Sequence, residues 1–422
     1  MGAVTPPEPP SAGPSSGATG SPGREAGQWR KDLVEVARRR LRGGELGSAS
    51  VIVALAVIWA VFESLDTSFL SPRNLSNLSV DIVGTGLIAV GVVFVLLLGE
   101  IDLSVASVSA LAAAVFAAGN VRYGIPEVPA VLLALAVGAA VGAIQGFIVA
   151  KVGVPSFVVT LAGLLGWNGL TLYVFGGQGS IILDDNGLVV TLTHYYFHDV
   201  AVAYGLAAFG TAAYFLLSYR NARRRRAVGA LPTRGMHEIA LRTLALAAVS
   251  FAAAWTLNQF LGLPLALLIF LGFLVCLDVL LRRTTYGRRI FALGGSVEPA
   301  RRAGIAVVSV RVSVFMISST MAAIGGLFLA SRITSASETA SSGNLLMQAI
   351  AAAVIGGTSL FGGRGRTWSA LLGILVIQSI ASGMALLGIP VAVQLMITGV
   401  VLLAAVIIDT LARRTMHAHG WA

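Results

Sequence analysis

Apolar stretches of about twenty residues, separated by short polar connections, repeat along most of this chain. Because a helix needs about 20 apolar residues to cross a bilayer, the pattern predicts an all-α polytopic membrane protein with about 12 transmembrane helices. The range is about 10–14, since short or re-entrant segments near 99–120 and 344–361 are easily miscounted. The predicted spans are 48–65, 78–98, 104–120, 129–150, 155–175, 199–218, 237–257, 262–281, 311–331, 344–361, 368–387 and 390–410.

The composition agrees with a membrane protein, because 56% of the residues are hydrophobic and only 11% are charged. A soluble domain carries about 25% charged residues, so a soluble fold is excluded. The 49 glycines suit a helical bundle in lipid, where small residues let backbones approach closely. The single cysteine, Cys276, lies in an apolar run and is predicted to be structural.

Both ends of the chain differ from this apolar body. Residues 1–23 are rich in Pro, Gly and Ser and are predicted to be a disordered tail. Residues 24–45 combine basic and scattered apolar positions, which fits a cytoplasmic amphipathic helix on the membrane and equally a solvated basic helix. The transmembrane permease domain is predicted over 46–411, followed by a short cytoplasmic tail over 412–422.

The positive charge follows the predicted topology. A net charge of +10 can indicate nucleic-acid binding, but the arginines cluster in connections beside apolar spans, which predicts an orientation signal and no nucleic-acid partner. The arginine clusters lie in connections that follow even-numbered spans. The only arginines in connections that follow odd-numbered spans are Arg73, Arg122 and Arg332. The pattern predicts cytoplasmic N and C termini.

The strongest basic cluster is the segment from Leu281 to Arg311, with seven arginines and one acid, Glu298. Gly294-Gly295 is typical of a flexible corner, and Ser296 can cap a following helix. A short helix from Val297 to Ala303, ended by Gly304, is therefore predicted. We call Leu281–Arg311 the arginine segment.

Two acids interrupt the apolar pattern between the second and third spans, in Gly99-Glu100-Ile101-Asp102-Leu103-Ser104. Carboxylates at membrane depth are costly and usually face a protein interior or a water path. One interpretation is a broken-helix site on the path of a polar solute. The alternative is a turn at the interface, capped by Ser104, with both acids wetted or bonded to backbone N–H groups.

Amide side chains within the spans are further candidates for a solute path. Amide and aromatic groups suit neutral, hydroxyl-rich solutes, although ordinary interhelical hydrogen bonds are an equally open explanation for each. Beside Glu100, Asp102 and Trp167, the candidates are Gln145, Asn168, Gln348, Gln378 and Gln394.

The sequence predicts no cofactor, no metal and no catalysis by this chain. Neither lysine, Lys31 or Lys151, is followed by Ser or Thr, so a Walker A motif is missing. The outer connection 176–198 contains two histidines and two aspartates, but their spacing matches no metal-ligand pattern. We predict a solvated loop that meets a partner protein.

Glu298, Ala300 and Gly304 have the spacing of the Glu-Ala-Ala…Gly motif in the coupling loops of ABC importer permeases, with Pro299 replacing the first Ala. Three further segments support the likeness: Tyr286–Gly295, the stretch GEIDLSVASVSAL, and the glycine-rich 356–365. Together they resemble the ribose/xylose/galactose permease family over roughly residues 50–410. The chain resembles the xylose-type members most, although Glu100 stands where shorter members often have Gly.

The resemblance implies a type II-like permease of a bacterial plasma (inner) membrane importer for a monosaccharide, with xylose expected first. It implies an ABC ATPase, an extracytoplasmic sugar-binding protein and a second copy of the chain as partners, in contact with membrane lipid. Within the coupling loop, 284–308, the ATPase contacts are Glu298, Pro299, Ala300, Arg301, Arg302 and Gly304. Open alternatives are a permease for a ribose-like sugar, nucleoside or branched-chain amino acid, an ion-driven secondary transporter, and a membrane enzyme.

Overall fold

A computed structural model of the chain describes residues 46–227, 236–337 and 343–418. The predicted tail 1–23 and the predicted amphipathic helix 24–45 lie outside the described residues, which begin at Leu46. The helices are α1 Leu46–Leu65, α2 Pro72–Leu97, α3 Val105–Ala117, α4 Glu127–Phe147, α5 Ser156–Phe175, α6 Leu188–His194, α7 Val200–Ala227, α8 Met236–Asn258, α9 Leu265–Arg283, α10 Thr285–Gly295, α11 Val297–Arg302, α12 Val307–Arg332, α13 Gly343–Ile355, α14 Thr367–Leu386 and α15 Val391–Ala418. The strands are β1 Ser180–Ile182, β2 Tyr196–Phe197, β3 Leu263–Pro264 and β4 Ser335–Ser337.

The predicted all-α polytopic class is confirmed. Within the described residues, nine helices are long and apolar enough to span a membrane: α2, α3 with its π-helical extension to Arg122, α4 with its extension to Val152, α5, α7, α8, α9, α12 and α14. Three shorter apolar helices, Ser50–Leu65, Asn344–Ile355 and Val391–Val401, fill the remaining predicted positions. The number of helices that cross the membrane stays a prediction.

Helices α2 and α12 form the centre of the bundle. The apolar part of α2 is 94% buried inside the protein, and α12 packs along α2, α3 and α4. Glycine makes this close packing feasible: a Cβ at Gly142 would overlap the Phe315 carbonyl, and one at Gly326 would overlap the Ser109 carbonyl. By contrast α7 and α8 pack on each other and are only 11% buried, so their outer faces are left for lipid.

The connections gather at two ends of the bundle. At one end the arginine segment meets the end of α2 and the connection 356–366, through contacts of Leu97 with Gly294 and Gly363. At the other end β1 pairs antiparallel with β4, and β2 with β3. We call the arginine-rich end the inner end and the strand end the outer end, since positive connections remain in the cytoplasm.

The outer connection 176–198 differs from the solvated loop that its polar composition predicts. Helix α6 buries Val189 and Val190 and packs on α12. The Thr193 and Ser331 hydroxyls lie 2.7 Å apart, which fixes α6 to the end of α12. Asp184 and Asp185 remain exposed, so this folded outer layer still presents an acidic edge.

Candidate functional site

The arginine segment folds into two short helices, α10 and α11. Helix α10 is amphipathic and buries Gly287, Ile290 and Leu293, while the Thr284 hydroxyl accepts a hydrogen bond from the Gly287 amide at 3.2 Å. The burial of Tyr286 raises the pKa of its phenol, which the 2.7 Å hydrogen bond to Ser313 partly offsets. That bond also links α10 to α12.

Helix α11 confirms the predicted short helix, with one residue fewer. It ends as predicted, because Gly304 has a positive φ of 79°, a conformation that glycine adopts without strain. The predicted flexible corner at Gly294-Gly295 is wrong, since both residues lie in the last turn of α10. Ser296 occupies the N-cap position of α11, but its side chain makes no capping hydrogen bond.

The side chains of α11 fall into two groups, one packed against the bundle and one exposed at the surface. Ala300 is 4% exposed and packs in the main hydrophobic core, so it holds α11 on the bundle and does not face a partner. Glu298 and Arg301 form an exposed pair at 3.3 Å. The other outward members of the predicted contact set are Pro299, Arg302 and Gly304.

Two of the segments that carry the family resemblance, Tyr286–Gly295 and the glycine-rich 356–365, meet at the end of α2. Gly294 of α10 lies directly on the Leu97 carbonyl at the end of α2, where a Cβ would overlap that oxygen. The Gly363 amide donates a hydrogen bond to the same carbonyl at 2.9 Å. Helix α10 is therefore packed directly against the end of α2 and the 356–366 connection.

Glu100 forms an ion pair with Arg311, the fifth residue of α12, at 3.0 Å. Both side chains are largely buried, with 15% of Glu100 and 22% of Arg311 exposed. The sequence places Glu100 on the solute path, but the structure neutralises its carboxylate with a protein cation. The pair ties the 98–104 connection to the first turns of α12, and a role of Glu100 in the solute path stays a prediction.

Asp102 lies deeper, where the chain turns back into the bundle. It is buried and accepts hydrogen bonds from the Ser104 amide at 2.9 Å, the Ser104 hydroxyl at 2.6 Å and the Ser318 hydroxyl at 3.3 Å. Ser318 stands eleven residues into α12, or about 16 Å along a helix that rises 1.5 Å per residue. This depth favours the broken-helix interpretation over an interfacial turn, although the Ser104 side chain binds Asp102 and does not cap α3.

Gln145 extends this polar cluster towards α5. Its Oε1 lies 3.0 Å from the Ser104 hydroxyl, whereas its Nε2 and the Trp167 Nε1 are buried without a hydrogen-bond partner in the described part of the chain. Both nitrogens lie at Gly163, where an added Cβ would meet them. Buried donors left unpaired cost about 1–3 kcal/mol each, so this spot favours a molecule that supplies acceptors. We call Asp102, Ser104, Gln145, Trp167 and Ser318 the inner polar cluster.

The remaining path candidates are not brought into this cluster. Gln348 donates to Asn344 within α13 at 3.3 Å, and Gln394 donates to the Ile389 carbonyl at 2.9 Å. Gln378 is half-buried on α14, and Asn168 holds a buried Oδ1 without a partner among the described residues. Their roles in a path stay predictions.

One polar group was not recognised in the sequence. Arg332 Nε donates to Asp81 Oδ1 at 2.8 Å, and another guanidinium nitrogen lies 3.4 Å from Asn77 Oδ1. The available signals were a carboxylate inside the apolar run of α2 and an arginine on the outer side, where positive charge is rare.

Comparison with known proteins gives a consistent picture. A family profile described as "Branched-chain amino acid transport system / permease component" matches residues 74–406. The xylose transport system permease protein of Escherichia coli K12 is 36% identical over 366 residues, which cover 86% of this chain and 92% of that protein. The corresponding Haemophilus influenzae protein is 34% identical over 381 residues, 89% of this chain and 100% of that one.

A ribose protein is also similar. The ribose import permease protein of Bacillus subtilis 168 is 32% identical over 381 residues, which cover 90% of this chain and 98% of that protein. No solved structure matches this chain. The likeness therefore extends over nearly the whole length of three sugar permeases.

Proposed function

We propose that this chain is the membrane-spanning permease subunit of an ABC importer for a monosaccharide. It belongs to the permease family whose profile is described as "Branched-chain amino acid transport system / permease component". Xylose is the first substrate to test and ribose the second, since relatives named for these sugars match almost the full chain. The hydroxyl, amide and indole groups of the inner polar cluster suit a hydroxyl-rich solute. The chain itself performs transport, and its partner hydrolyses ATP.

The observation that carries the proposal is the exposed helix α11 on a tightly packed junction. Ala300 anchors the helix while Glu298, Arg301 and Arg302 face outward, an arrangement suited to docking into a polar groove of an ATPase subunit. Gly294 then connects this helix pair with the end of α2, and Arg311 connects the base of α12 with Glu100. Closure of the ATPase would shift these elements together and change access to the inner polar cluster.

The outer and lateral surfaces suit the other proposed partners. The outer layer around Asp184 and Asp185 is the place for an extracytoplasmic sugar-binding protein. The lateral face of α5 is only 11% buried and exposes Leu165 and Tyr173, so a second copy or membrane lipid would cover it. A homodimer in a bacterial plasma membrane is the proposed assembly.

One observation favours a second candidate, an ion-driven secondary transporter. Asp102 is a buried carboxylate whose hydrogen-bond partners in the described residues are serines, without a cation to offset its charge. Buried intramembrane carboxylates are common in proton and sodium pathways. Solute uptake by the purified chain alone, driven by an ion gradient without ATP, would support this candidate.

The proposed coupling role predicts that charge reversal on α11 removes the ATPase. Glu298→Arg and Arg302→Glu change exposed side chains, so we expect unchanged folding but about a tenfold lower recovery of the candidate ATPase subunit in detergent co-purification, equivalent to about 1.4 kcal/mol. Arg73→Glu, an exposed change at the outer end, is the matched control and should retain the ATPase. Equal recovery with all three variants would show that α11 is only a topological anchor.

A further inference from the structure

The Asp81–Arg332 ion pair takes no part in the proposed coupling between α11 and the ATPase. It joins the two central helices: Asp81 is the tenth residue of α2 and Arg332 is the last residue of α12. Asn77 stands one turn earlier on the same face of α2 and approaches the same guanidinium at 3.4 Å. The two charged side chains are each 31% exposed, so the group is not sealed inside the protein.

Neither topology nor stability accounts for this pair. Positive charge is disfavoured on the outer side, and a carboxylate within an apolar span costs free energy. Arg122, another outer arginine, is held by the Val174 and Phe175 carbonyls, whereas Arg332 depends on an acid inside a spanning helix. Partly exposed ion pairs contribute only about 0–1 kcal/mol, so helix–helix attachment alone does not explain two such costly groups.

The pair retains hydrogen-bonding capacity that its contacts with the described residues do not use. A guanidinium has five N–H donors, and its bonds within the described residues go to Asp81 Oδ1 and Asn77 Oδ1. Asp81 Oδ2 and the Asn77 amide nitrogen have no partner there. A free carboxylate oxygen beside free N–H donors matches neighbouring hydroxyl groups, because each hydroxyl both donates and accepts.

An aromatic ring lies beside the same group. Burial raises the pKa of the Tyr196 phenol. The nearby Arg332 charge lowers this pKa, and the Asp81 charge raises it. Tyr196 belongs to β2, which pairs with β3 in the outer layer. The charged pair is thus located where the outer layer meets the two central helices, with Arg332 fourteen residues beyond Ser318 of the inner polar cluster along α12.

We propose that Asp81, Asn77 and Arg332 form an outer binding site for a neutral polyhydroxylated solute. The site takes the solute at the outer end before it reaches the inner polar cluster. The proposal rests on the proposed function, because it assigns the importer's own solute to this place. If the ion pair were purely structural, these three residues would not contact the solute.

The first test uses the full importer, permease with ATPase and binding protein, in proteoliposomes with D-xylose and saturating binding protein. Asp81→Asn and Arg332→Gln should each lower initial uptake at least about tenfold while the ATPase still co-purifies. The exchange Asp81→Arg/Arg332→Asp restores an ion pair but reverses donors and acceptors. We expect it to recover the thermal unfolding midpoint without recovering uptake, and the outer-end control Arg73→Gln should match wild type.

A second measurement separates the site from the overall function. Purified permease is heated with D-xylose, D-ribose or L-leucine, because a ligand that binds the native state raises the unfolding midpoint. A sugar that stabilises wild type but not Asp81→Asn supports the site even if the importer takes up no xylose, in which case the proposed substrate fails alone. Recovery of uptake by the charge exchange, or equal sugar stabilisation of wild type and Asp81→Asn, would overturn the site.

Discussion

Replacing Arg311 with methionine is expected to destabilise the inner end severely and to abolish ATP-driven uptake. The change leaves Glu100 largely buried without its cation, since only 15% of that side chain is exposed. Removing one partner of a buried ion pair costs about 3–5 kcal/mol, because the other charge is left uncompensated. Thermal unfolding in detergent should show a clear drop of the midpoint, together with loss of uptake in proteoliposomes.

The double variant Glu100→Gln/Arg311→Met separates charge from shape. It removes both charges with little change in volume, so most of the lost stability should return. Uptake should return only in part, because the link between the 98–104 connection and α12 is then no longer ionic. Arg73→Met serves as the control, since that arginine is exposed and lies outside the coupling loop. An Arg311→Met variant as stable as wild type would show that Glu100 finds water or another partner.

Local features of this fold were predictable from the sequence. The lengths of the apolar runs located every described helix that is long and apolar enough to span a membrane, because hydrophobic length is a property of the chain itself. Helix α11 was equally accessible: a proline in its first turn and Gly304 at its end are local signals. Both needed only a few neighbouring residues to define them.

Long-range partners were not predictable. Glu100 and Arg311 lie in different segments, as do Asp81 and Arg332, and nothing near either acid indicates which distant arginine it meets. Gly294 shows the same limit. Its neighbour Gly295 made a flexible corner the natural expectation, whereas contact with the Leu97 carbonyl selects glycine at 294 inside a helix. Such choices depend on how whole helices pack, which a local pattern does not contain.

The inner polar cluster was predictable from the sequence only in part. Asp102 and Gln145 were both candidates on polarity alone, but only the fold brings them to the same serine, Ser104. The fold also separates Glu100 from them by pairing it with Arg311. One short connection therefore contains an acid that is paired with Arg311 of α12 and an acid that joins the inner polar cluster.

Adding a single methyl group at Gly294 is expected to uncouple the inner junction. In Gly294→Ala the new Cβ would overlap the Leu97 carbonyl and lie 2.9 Å from the Gly363 amide nitrogen. Both are backbone groups that cannot rotate away, so α10 must move from the end of α2. Overpacking of this kind costs about 1–3 kcal/mol. We expect uptake to fall at least about tenfold, with a lower unfolding midpoint.

The adjacent glycine provides a matched control for this change. A Cβ at Gly295 meets nothing within 4 Å, and alanine is favoured over glycine inside a helix by about 1 kcal/mol. Gly295→Ala should therefore retain uptake and raise the unfolding midpoint slightly. If both variants behave alike, the loss reflects reduced flexibility of α10. If only Gly294→Ala fails, the close contact between α10 and α2 is the element that transmits the movement of α11 into the bundle.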